Sequence, residues 1–117
     1  MSMRFLIPLL FVAAPATADP YAVLAGDAVL PASEVHALID GQTLTYHDDG
    51  QSRYFVGGAY SYSYAGGATA YGVYDIGADG TVCVTFHNGR NRCDRFARRD
   101  GGFVLLTQKG DRFPVRR

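Results

Sequence analysis

Short apolar runs separated by glycine-containing turns occupy most of the chain after residue 40. In each run Tyr, Phe, Val and Thr alternate with polar residues, and Asp-Gly, Gly-Gly or Asn-Gly pairs stand between the runs. Alternation with period two is typical of half-buried β-strands, and strands joined by tight turns are antiparallel. The pattern predicts seven strands, at residues 43–47, 52–64, 69–76, 81–86, 90–97, 103–107 and 112–115. We therefore expect a mainly β fold, an antiparallel meander of about seven strands that forms a small barrel or a curled sheet.

Side-chain parity along the strands predicts which face is buried. In the longest predicted strand the tyrosines share one parity with Val56, which indicates a buried, tyrosine-rich face and leaves Ser61 on a polar, solvated face. Gly57-Gly58 is then a bend or bulge within this strand. Residues 103–106 are apolar on both sides and indicate a strand that is covered on both faces.

One short N-terminal helix is predicted before the meander. Pro31 suits the first helical position, Glu34 lies near the positive end of the helix dipole, and Gly41 suits the C-terminal cap. Val35 and Ile39 belong to an apolar stripe. We expect this helix to pack on one end or edge of the sheet.

Residues 1–18 have the parts of a secretory signal peptide. Arg4 supplies the positive charge, residues 5–14 are almost all apolar, and small residues precede the expected cleavage site. The apolar stretch is far shorter than the ~20 residues that a membrane-spanning helix needs. We expect a single β domain at residues 19–117, periplasmic or secreted, with no transmembrane segment after signal cleavage.

The two cysteines predict a disulfide bond, because an exported chain meets oxidising conditions. A two-residue Asn88-Gly89 turn would point the Cys83 and Cys93 thiols to opposite faces. A three-residue loop, His87-Asn88-Gly89 with Gly89 at positive φ, places Cys83 directly opposite Cys93. A redox-catalytic role is disfavoured, because nine residues intervene where a reactive pair has two.

Charge is balanced over the whole chain but not along it. The chain has 11 basic and 11 acidic residues, yet residues 19–80 hold one basic residue against eight acidic ones, and residues 81–117 hold nine against three. A functional interpretation is a basic patch at Arg90, Arg92 and Arg95 for an anionic partner such as phospholipid, polysaccharide or an acidic protein. The alternative is that charges of the two halves neutralise each other across the sheet. Nucleic acid is not expected, since the patch lacks interleaved aromatic residues.

One segment carries a resemblance to a known family. The run from Gly72 to Phe86 contains Gly-Val-Tyr and Asp-Gly-Thr-Val-Cys, a second Cys follows at Cys93, and Leu-Pro-Ala-Ser-Glu-Val precedes them. It resembles a family of small exported bacterial proteins, a domain of unknown function, with the pattern Gly-x-Trp, Asp-Gly-x-x-Cys and Cys. Tyr74 stands where that family has Trp. The resemblance implies export, β-structure and a paired-Cys hairpin, and it supplies no catalytic residue.

No catalytic, metal-binding or cofactor motif stands out in the sequence. His47-Asp48-Asp49 is more typical of a turn than of a metal site, and no nucleophile elbow surrounds a serine. We expect no enzyme activity, no cofactor and no metal.

The remaining candidates are binding residues. Tyr60, Tyr62 and Tyr64 could line the mouth of a curled sheet, because tyrosine combines an apolar ring with a polar tip. The leading hypothesis is an exported, non-enzymatic β-domain that binds an envelope component or a protein partner. The alternatives are a lipocalin-like binder of a small ligand, which requires an interior cavity, and a secreted inhibitor of a cell-wall hydrolase or protease that presents the loop around Asn88.

Overall fold

Nine antiparallel strands and one helix make up the regular structure of residues 21–116, the part of the chain that the computed structural model describes. The predicted signal peptide lies outside these residues. The elements in chain order are β1 (Ala28–Val29), α1 (Ala32–Ile39), β2 (Thr43–Thr45), β3 (Gln51–Tyr54), β4 (Ala59–Ser63), β5 (Thr69–Ile76), β6 (Val82–Phe86), β7 (Asn91–Arg99), β8 (Gly102–Thr107) and β9 (Arg112–Pro114).

The strands form one curled, half-barrel sheet. From β2 to β9 each strand pairs with the next, and β1 pairs with β7 beside the end of β6. The two edge strands meet where Tyr46 and Val115 form a single antiparallel bridge. Backbone hydrogen bonds flank this bridge, from His47 N to Pro114 O (3.1 Å) and from Arg116 N to Thr45 O (2.7 Å). The predicted antiparallel meander with one short helix is confirmed.

The predicted strand at residues 52–64 is wrong, because the chain reverses within it. Tyr54 pairs with Tyr60 across a hairpin, and Gly57 and Gly58 form its turn with φ of 96° and 103°. Only glycine adopts positive φ easily at two adjacent positions. The parity of the tyrosines is nevertheless preserved, because paired residues in an antiparallel hairpin point to the same face.

The tyrosine face is buried only in its first half. Tyr54 and Tyr60 are each 1% exposed, whereas Tyr64 is 57% and Val56 is 87% exposed. Val56 lies in the hairpin turn and Tyr64 lies beyond the end of β4, so the packed interior does not reach them. Ser61, predicted to be solvated, is buried between larger side chains on the two strands that pair with β4.

Helix α1 closes one end of the curled sheet. Pro31 is its N-cap residue rather than its first helical residue, and Gly41 follows its C-terminus with φ of 70°. Val35 and Ile39 are fully buried in the main core. Asp40, the C-cap residue, accepts a hydrogen bond from the Tyr74 hydroxyl of β5 (2.9 Å). The expectation that the helix packs on one end of the sheet is confirmed.

The interior between the strands is filled with side chains. Tyrosines from β3 and β4 pack there with Val82, Val84, Phe96 and Leu105. A second cluster lies on the opposite face, where Ala97, Val104 and Leu106 contact the segment that precedes β1. Strand β8 is therefore apolar on both sides, as predicted.

The Cys83–Cys93 disulfide is present, with 4.0 Å between the Cα atoms. Gly89 has φ of 85°, and its N–H donates to Phe86 O (2.9 Å). Phe86 N donates to Arg90 O (2.8 Å), so the loop has three residues and Cys83 lies opposite Cys93. The predicted bond and the predicted register are both confirmed.

Candidate functional site

Four hairpin turns surround the end of the sheet opposite α1, which we call the open end. Alternate turns of an antiparallel meander lie at the same end of its sheet. The turns that follow β2, β4, β6 and β8 therefore meet here, each closed by a backbone hydrogen bond to Tyr46 O, Tyr64 O, Phe86 O or Thr107 O.

Two adjoining cavities at the open end form one groove. The smaller cavity, about 150 Å³, is lined by Tyr46, Tyr62, Tyr64, Arg92, Leu105 and Phe113. The larger, about 550 Å³, shares three of these residues and adds Phe86, Asn88, Arg90, Asn91, Gln108 and Lys109. We call the two together the open-end groove.

Five of the seven binding residues predicted from the sequence line this groove. They come from three separate predictions, a tyrosine face, a basic patch and an inhibitor loop, and they are Tyr62, Tyr64, Arg90, Arg92 and Asn88. The meander joins the two patches because it curls, which brings β4 and β7 to the same interior.

Tyr60 and Arg95 do not line the groove. Tyr60 is buried in the core, and its hydroxyl is bonded inside the protein. Arg95 has the opposite parity from Arg92 on β7, so it lies on the outer face. There its guanidinium donates to Asp79 O (3.0 Å) and lies 5.9 Å from the Tyr21 ring centroid.

Arg92 is the most constrained residue of the groove. Its Nε donates to Asp94 Oδ2 (3.0 Å), and its Nη2 donates to the Tyr60 hydroxyl (3.2 Å) and lies 3.0 Å from the same carboxylate oxygen. The guanidinium also lies 5.8 Å from the Tyr62 ring centroid and 5.9 Å from that of Phe86. Such contacts of a cation with aromatic rings are attractive. Arg92 is therefore held in one orientation.

A chain of buried hydroxyls continues inward from Arg92. The Tyr60 hydroxyl bonds to Ser52 Oγ (3.0 Å), which accepts a hydrogen bond from the Tyr46 hydroxyl (3.0 Å). Burial raises the pKa of both tyrosines, so these hydroxyls stay neutral. Ser52 is fully buried, so this chain supports Arg92 and does not present a nucleophile to the solvent.

Asp94 is the buried acidic partner of Arg92. Its side chain is fully buried, and its Oδ1 has no hydrogen-bond partner among the described residues. Burial raises the pKa of Asp94 to about 6, although Arg92 acts in the opposite direction. Desolvation disfavours the carboxylate more than one arginine stabilises it.

An aromatic wall runs along one side of the smaller cavity. Ring centroids are 4.9 Å apart for Tyr62 and Tyr64, 6.5 Å for Tyr46 and Tyr62, and 6.3 Å for Tyr46 and Phe113. Burial, with Asp48 nearby, raises the pKa of Tyr62. The wall offers apolar ring surface with hydroxyl tips, which suits an amphipathic ligand.

Several charges of the two sequence halves neutralise each other. Asp27 binds both Arg99 (2.9 Å) and Arg112 (2.7 Å), Glu34 binds Arg98 (3.1 Å), and Asp49 pairs with Arg116. The interpretation that the two halves pair is thus confirmed for these residues. The acidic partners come from the N-terminal segment, the helix and a turn, however, and not from neighbouring strands.

The groove keeps cations that this pairing does not use. Arg90 and Lys109 are exposed and form no ion pair within residues 21–116. With Arg92 they give the groove lining three cations against one carboxylate, Asp111. Asp94 offsets the charge of Arg92, so Arg90 and Lys109 against Asp111 leave the groove lining with an excess of one positive charge.

A larger cleft, about 660 Å³, lies on the outer face and is a weaker candidate. It is lined in part by Arg99 and Arg112, but both engage the buried carboxylate of Asp27. The cleft therefore has less unpaired positive charge than the groove. Among residues 21–116 no group of three or more His, Cys, Asp or Glu side chains is placed to hold a metal ion.

The sequence analysis did not predict, as binding residues, the groove-lining residues that lie on β6, β8, β9 and their turns. Phe86 and Phe113 belong to the predicted strands 81–86 and 112–115, and Gln108 and Lys109 lie between two predicted strands. The rule that alternate turns share one end of a meander would have brought Lys109 near Arg90.

Comparisons of the chain with protein-family models, curated proteins and solved structures find no match. The resemblance to a family of small exported proteins therefore stays a prediction. No helix within the described part of the chain is long and apolar enough to cross a membrane.

Proposed function

We propose that this chain is an exported, non-enzymatic binding domain that holds an anionic component of the cell envelope in its open-end groove. The observation that carries the proposal is the convergence of aromatic and cationic side chains from four strands and four turns on one concave surface. Concave sites with a few well-placed polar groups are the usual places of ligand binding.

The charges favour an anionic ligand. Five of the basic residues outside the groove are already bonded to acidic groups or a backbone carbonyl, whereas Arg90 and Lys109 face solvent without a partner in the described residues. Unpaired cations around a concavity raise the local concentration of anions and their association rate. Export, expected from residues 1–18, would bring the domain to an envelope rich in anionic polymers and lipids.

The packed core argues for binding at the groove rather than deep inside the sheet. Tyr54, Tyr60 and Phe96 occupy the interior where a lipocalin-like ligand would have to lie. The free space that adjoins the interior is the cavity of about 150 Å³ at the open end. That volume is below the 300–1,000 Å³ range of ordinary small-molecule pockets and suits one group of a larger ligand.

The test compares binding of residues 19–117 to anionic and neutral envelope components. The probes are an acidic polysaccharide, vesicles with an anionic phospholipid, and the neutral counterpart of each. We expect binding to one anionic probe, weakened about tenfold or more by the double variant Arg90→Gln/Lys109→Gln. The matched control is Arg53→Gln/Arg98→Gln, which removes two exposed cations outside the groove and leaves binding unchanged.

Equal loss of binding in both double variants would overturn the groove as the site, because net charge alone would then explain it. Failure of every anionic probe to bind the unsubstituted chain would overturn the proposed ligand class. After either result, the hairpin loop that follows β6 becomes the next candidate binding surface.

That loop supports a second candidate function, a rigid inhibitor element. His87 and Asn88 are exposed, and the Cys83–Cys93 bond links the two strands of the same hairpin, three residue pairs beyond the pair that closes the loop. Asn88 Oδ1 accepts from Arg90 N (2.9 Å), which further fixes the loop. A preorganised loop loses little entropy on binding to an enzyme cleft. His87→Ala should then abolish inhibition of a target hydrolase or protease and leave anion binding intact.

A further inference from the structure

The guanidinium of Arg92, a residue that lines the groove, keeps one donor group free. Its Nε and Nη2 are bonded to Asp94 and Tyr60, but its Nη1 has no hydrogen-bond partner among residues 21–116. Arg92 lines both cavities of the groove. A fixed guanidinium with a free N–H pair is suited to bind a carboxylate, because the charge-assisted bond is strong and directional.

The surroundings of this donor fit a sugar ring better than an acyl chain. In the aromatic wall, the exposed ring of Tyr64 beside Tyr62 offers apolar surface for the C–H face of a sugar. Asn88, Asn91 and Gln108 line the adjoining cavity, and their amides can both donate to and accept from hydroxyl groups. A lipid tail would need a deep apolar channel, but packed side chains occupy the interior where such a channel would lie.

We propose that the smaller cavity of the open-end groove binds a hexuronic acid residue of an acidic polysaccharide, with its carboxylate on Arg92 Nη1 and its ring against Tyr62 and Tyr64. This inference rests on the proposed function and specifies its ligand class. The neighbouring residues of the polysaccharide then lie along the larger cavity, beside Arg90 and Lys109.

Preorganisation of Arg92 makes it the residue that selects the carboxylate. Asp94 and Tyr60 hold the guanidinium before the ligand arrives, so little side-chain entropy is lost on binding. Arg90 and Lys109 are exposed and lack such supports. They attract any anion, whereas Arg92 distinguishes a carboxylate placed beside a sugar ring.

A uronate carboxylate bound to Arg92 would share the Arg92 guanidinium with Asp94, so the two negative charges would lie near each other. The titratable and charged groups that face Asp94 are Arg92 on its own strand and the hydroxyls of Tyr46, Tyr54 and Tyr60 on β3, β4 and the end of β2. A second negative charge near Asp94 favours its protonated form. Uronate binding is therefore expected to take up a proton and to strengthen as the pH falls from 7 to 5, while the uronate itself stays ionised.

The experiment is isothermal titration of residues 19–117 with two probes. One is a tetrasaccharide of hexuronic acid, and the other is the same tetrasaccharide with its carboxyl groups reduced to primary alcohols. We expect the acidic form to bind at least about tenfold more tightly than the reduced form. The proton uptake is read from the dependence of the binding enthalpy on buffer ionisation.

Two variants locate the site. Arg92→Lys keeps the charge but loses the planar fork, and Tyr64→Ser removes an exposed part of the aromatic wall without touching the core. Each should weaken binding of the acidic tetrasaccharide by about tenfold. The control is Tyr71→Ser, which removes a tyrosine of equal exposure from the outer face of β5 and should leave the affinity unchanged.

The outcomes separate this inference from the proposed function. Equal binding of the acidic and reduced tetrasaccharides, or unchanged affinity in Tyr64→Ser, overturns the uronate site. If anionic vesicles bind through Arg90 and Lys109 while the tetrasaccharide does not, the proposed function stands and the uronate site is refuted. If no anionic probe binds, both are refuted.

Discussion

Gly72 is a position where the fold requires the absence of a side chain. A Cβ there would lie 2.3 Å from Thr85 O and 2.9 Å from Phe86 Cα, both backbone atoms of β6. Backbone atoms in a sheet cannot move away as a flexible side chain can. Residue 72 lies on the inner face beside the core tyrosines, so glycine allows β5 and β6 to approach closely where the sheet curls.

Replacing Gly72 by alanine should therefore destabilise the protein. We expect Gly72→Ala to lower the free energy of unfolding by about 1–3 kcal/mol, because overpacking forces the strands apart. Urea denaturation followed by circular dichroism measures the change. The control is Gly66→Ala, where an added Cβ meets nothing within 4 Å and no loss is expected. Equal stability of the two variants would contradict the close approach of β5 and β6.

Asp94 should give the protein an unusual dependence of stability on pH. Its pKa is raised by burial from 3.8 to about 6, so the folded protein binds more protons than the unfolded chain between these values. The free energy of unfolding should therefore rise as the pH falls from 6 to 3.8. Thermal unfolding across this range should show the rise in the native protein and not in Asp94→Asn. Parallel curves for the two proteins would show that Asp94 titrates normally.

At the scale of elements, the β6–β7 hairpin was the most predictable part of the fold. Two cysteines that form a disulfide must share a face, and of the two-residue and three-residue loops compared, the three-residue loop achieves this. The β3–β4 hairpin was missed because the parity of its tyrosines is the same in a hairpin as in one long strand. Strand β1 has two residues, too few for a periodic signal, and depends on pairing with β7.

Removing the disulfide should destabilise the domain without changing its fold. The bond closes a loop with a sequence separation of 10, so its loss should lower the free energy of unfolding by about 2–3 kcal/mol. Differential scanning calorimetry compares native protein with Cys83→Ser/Cys93→Ser. A reductant should lower the melting temperature of the native protein and leave that of the double variant unchanged. Mass increase on alkylation of the non-reduced protein would show that the bond is absent.

At the scale of the whole molecule, residues that are far apart in the sequence lie close together in the folded protein. Part of the charge separated along the sequence is neutralised in the folded protein, because Asp27 in the N-terminal segment and Glu34 in α1 pair with arginines of β7 and β9. The groove likewise forms only when the sheet curls. Parity indicated which side chains face inward, but no local pattern encodes the curl, so the sequence named Tyr64 and Arg92 without placing them together.

Asp27 provides the test of this long-range pairing. Its buried carboxylate bonds Arg99 and Arg112, and it also accepts from Leu24 N (2.8 Å), which ties the N-terminal segment to β7 and β9. These bonds, with Arg112 first, hold the pKa of Asp27 well below its ordinary value, so their stabilisation is lost only as the pH falls below 3.8.

Asp27→Asn should therefore destabilise the protein by about 2 kcal/mol at neutral pH, since charged hydrogen bonds are replaced by neutral ones. The exposed Asp75→Asn is the control, with no expected loss. Hydrogen exchange should locate the effect, because Asp27→Asn frees the segment before β1 and exposes the amides of Ala97 and Leu106 that this segment covers. The difference between the variants should also shrink below pH 3.8, where Asp27 of the unfolded chain becomes protonated while Asp27 of the folded protein keeps its charge. A uniform increase in exchange over all strands, with no extra effect near β1, would show instead that Asp27 supports the whole sheet and not the docking of the N-terminal segment.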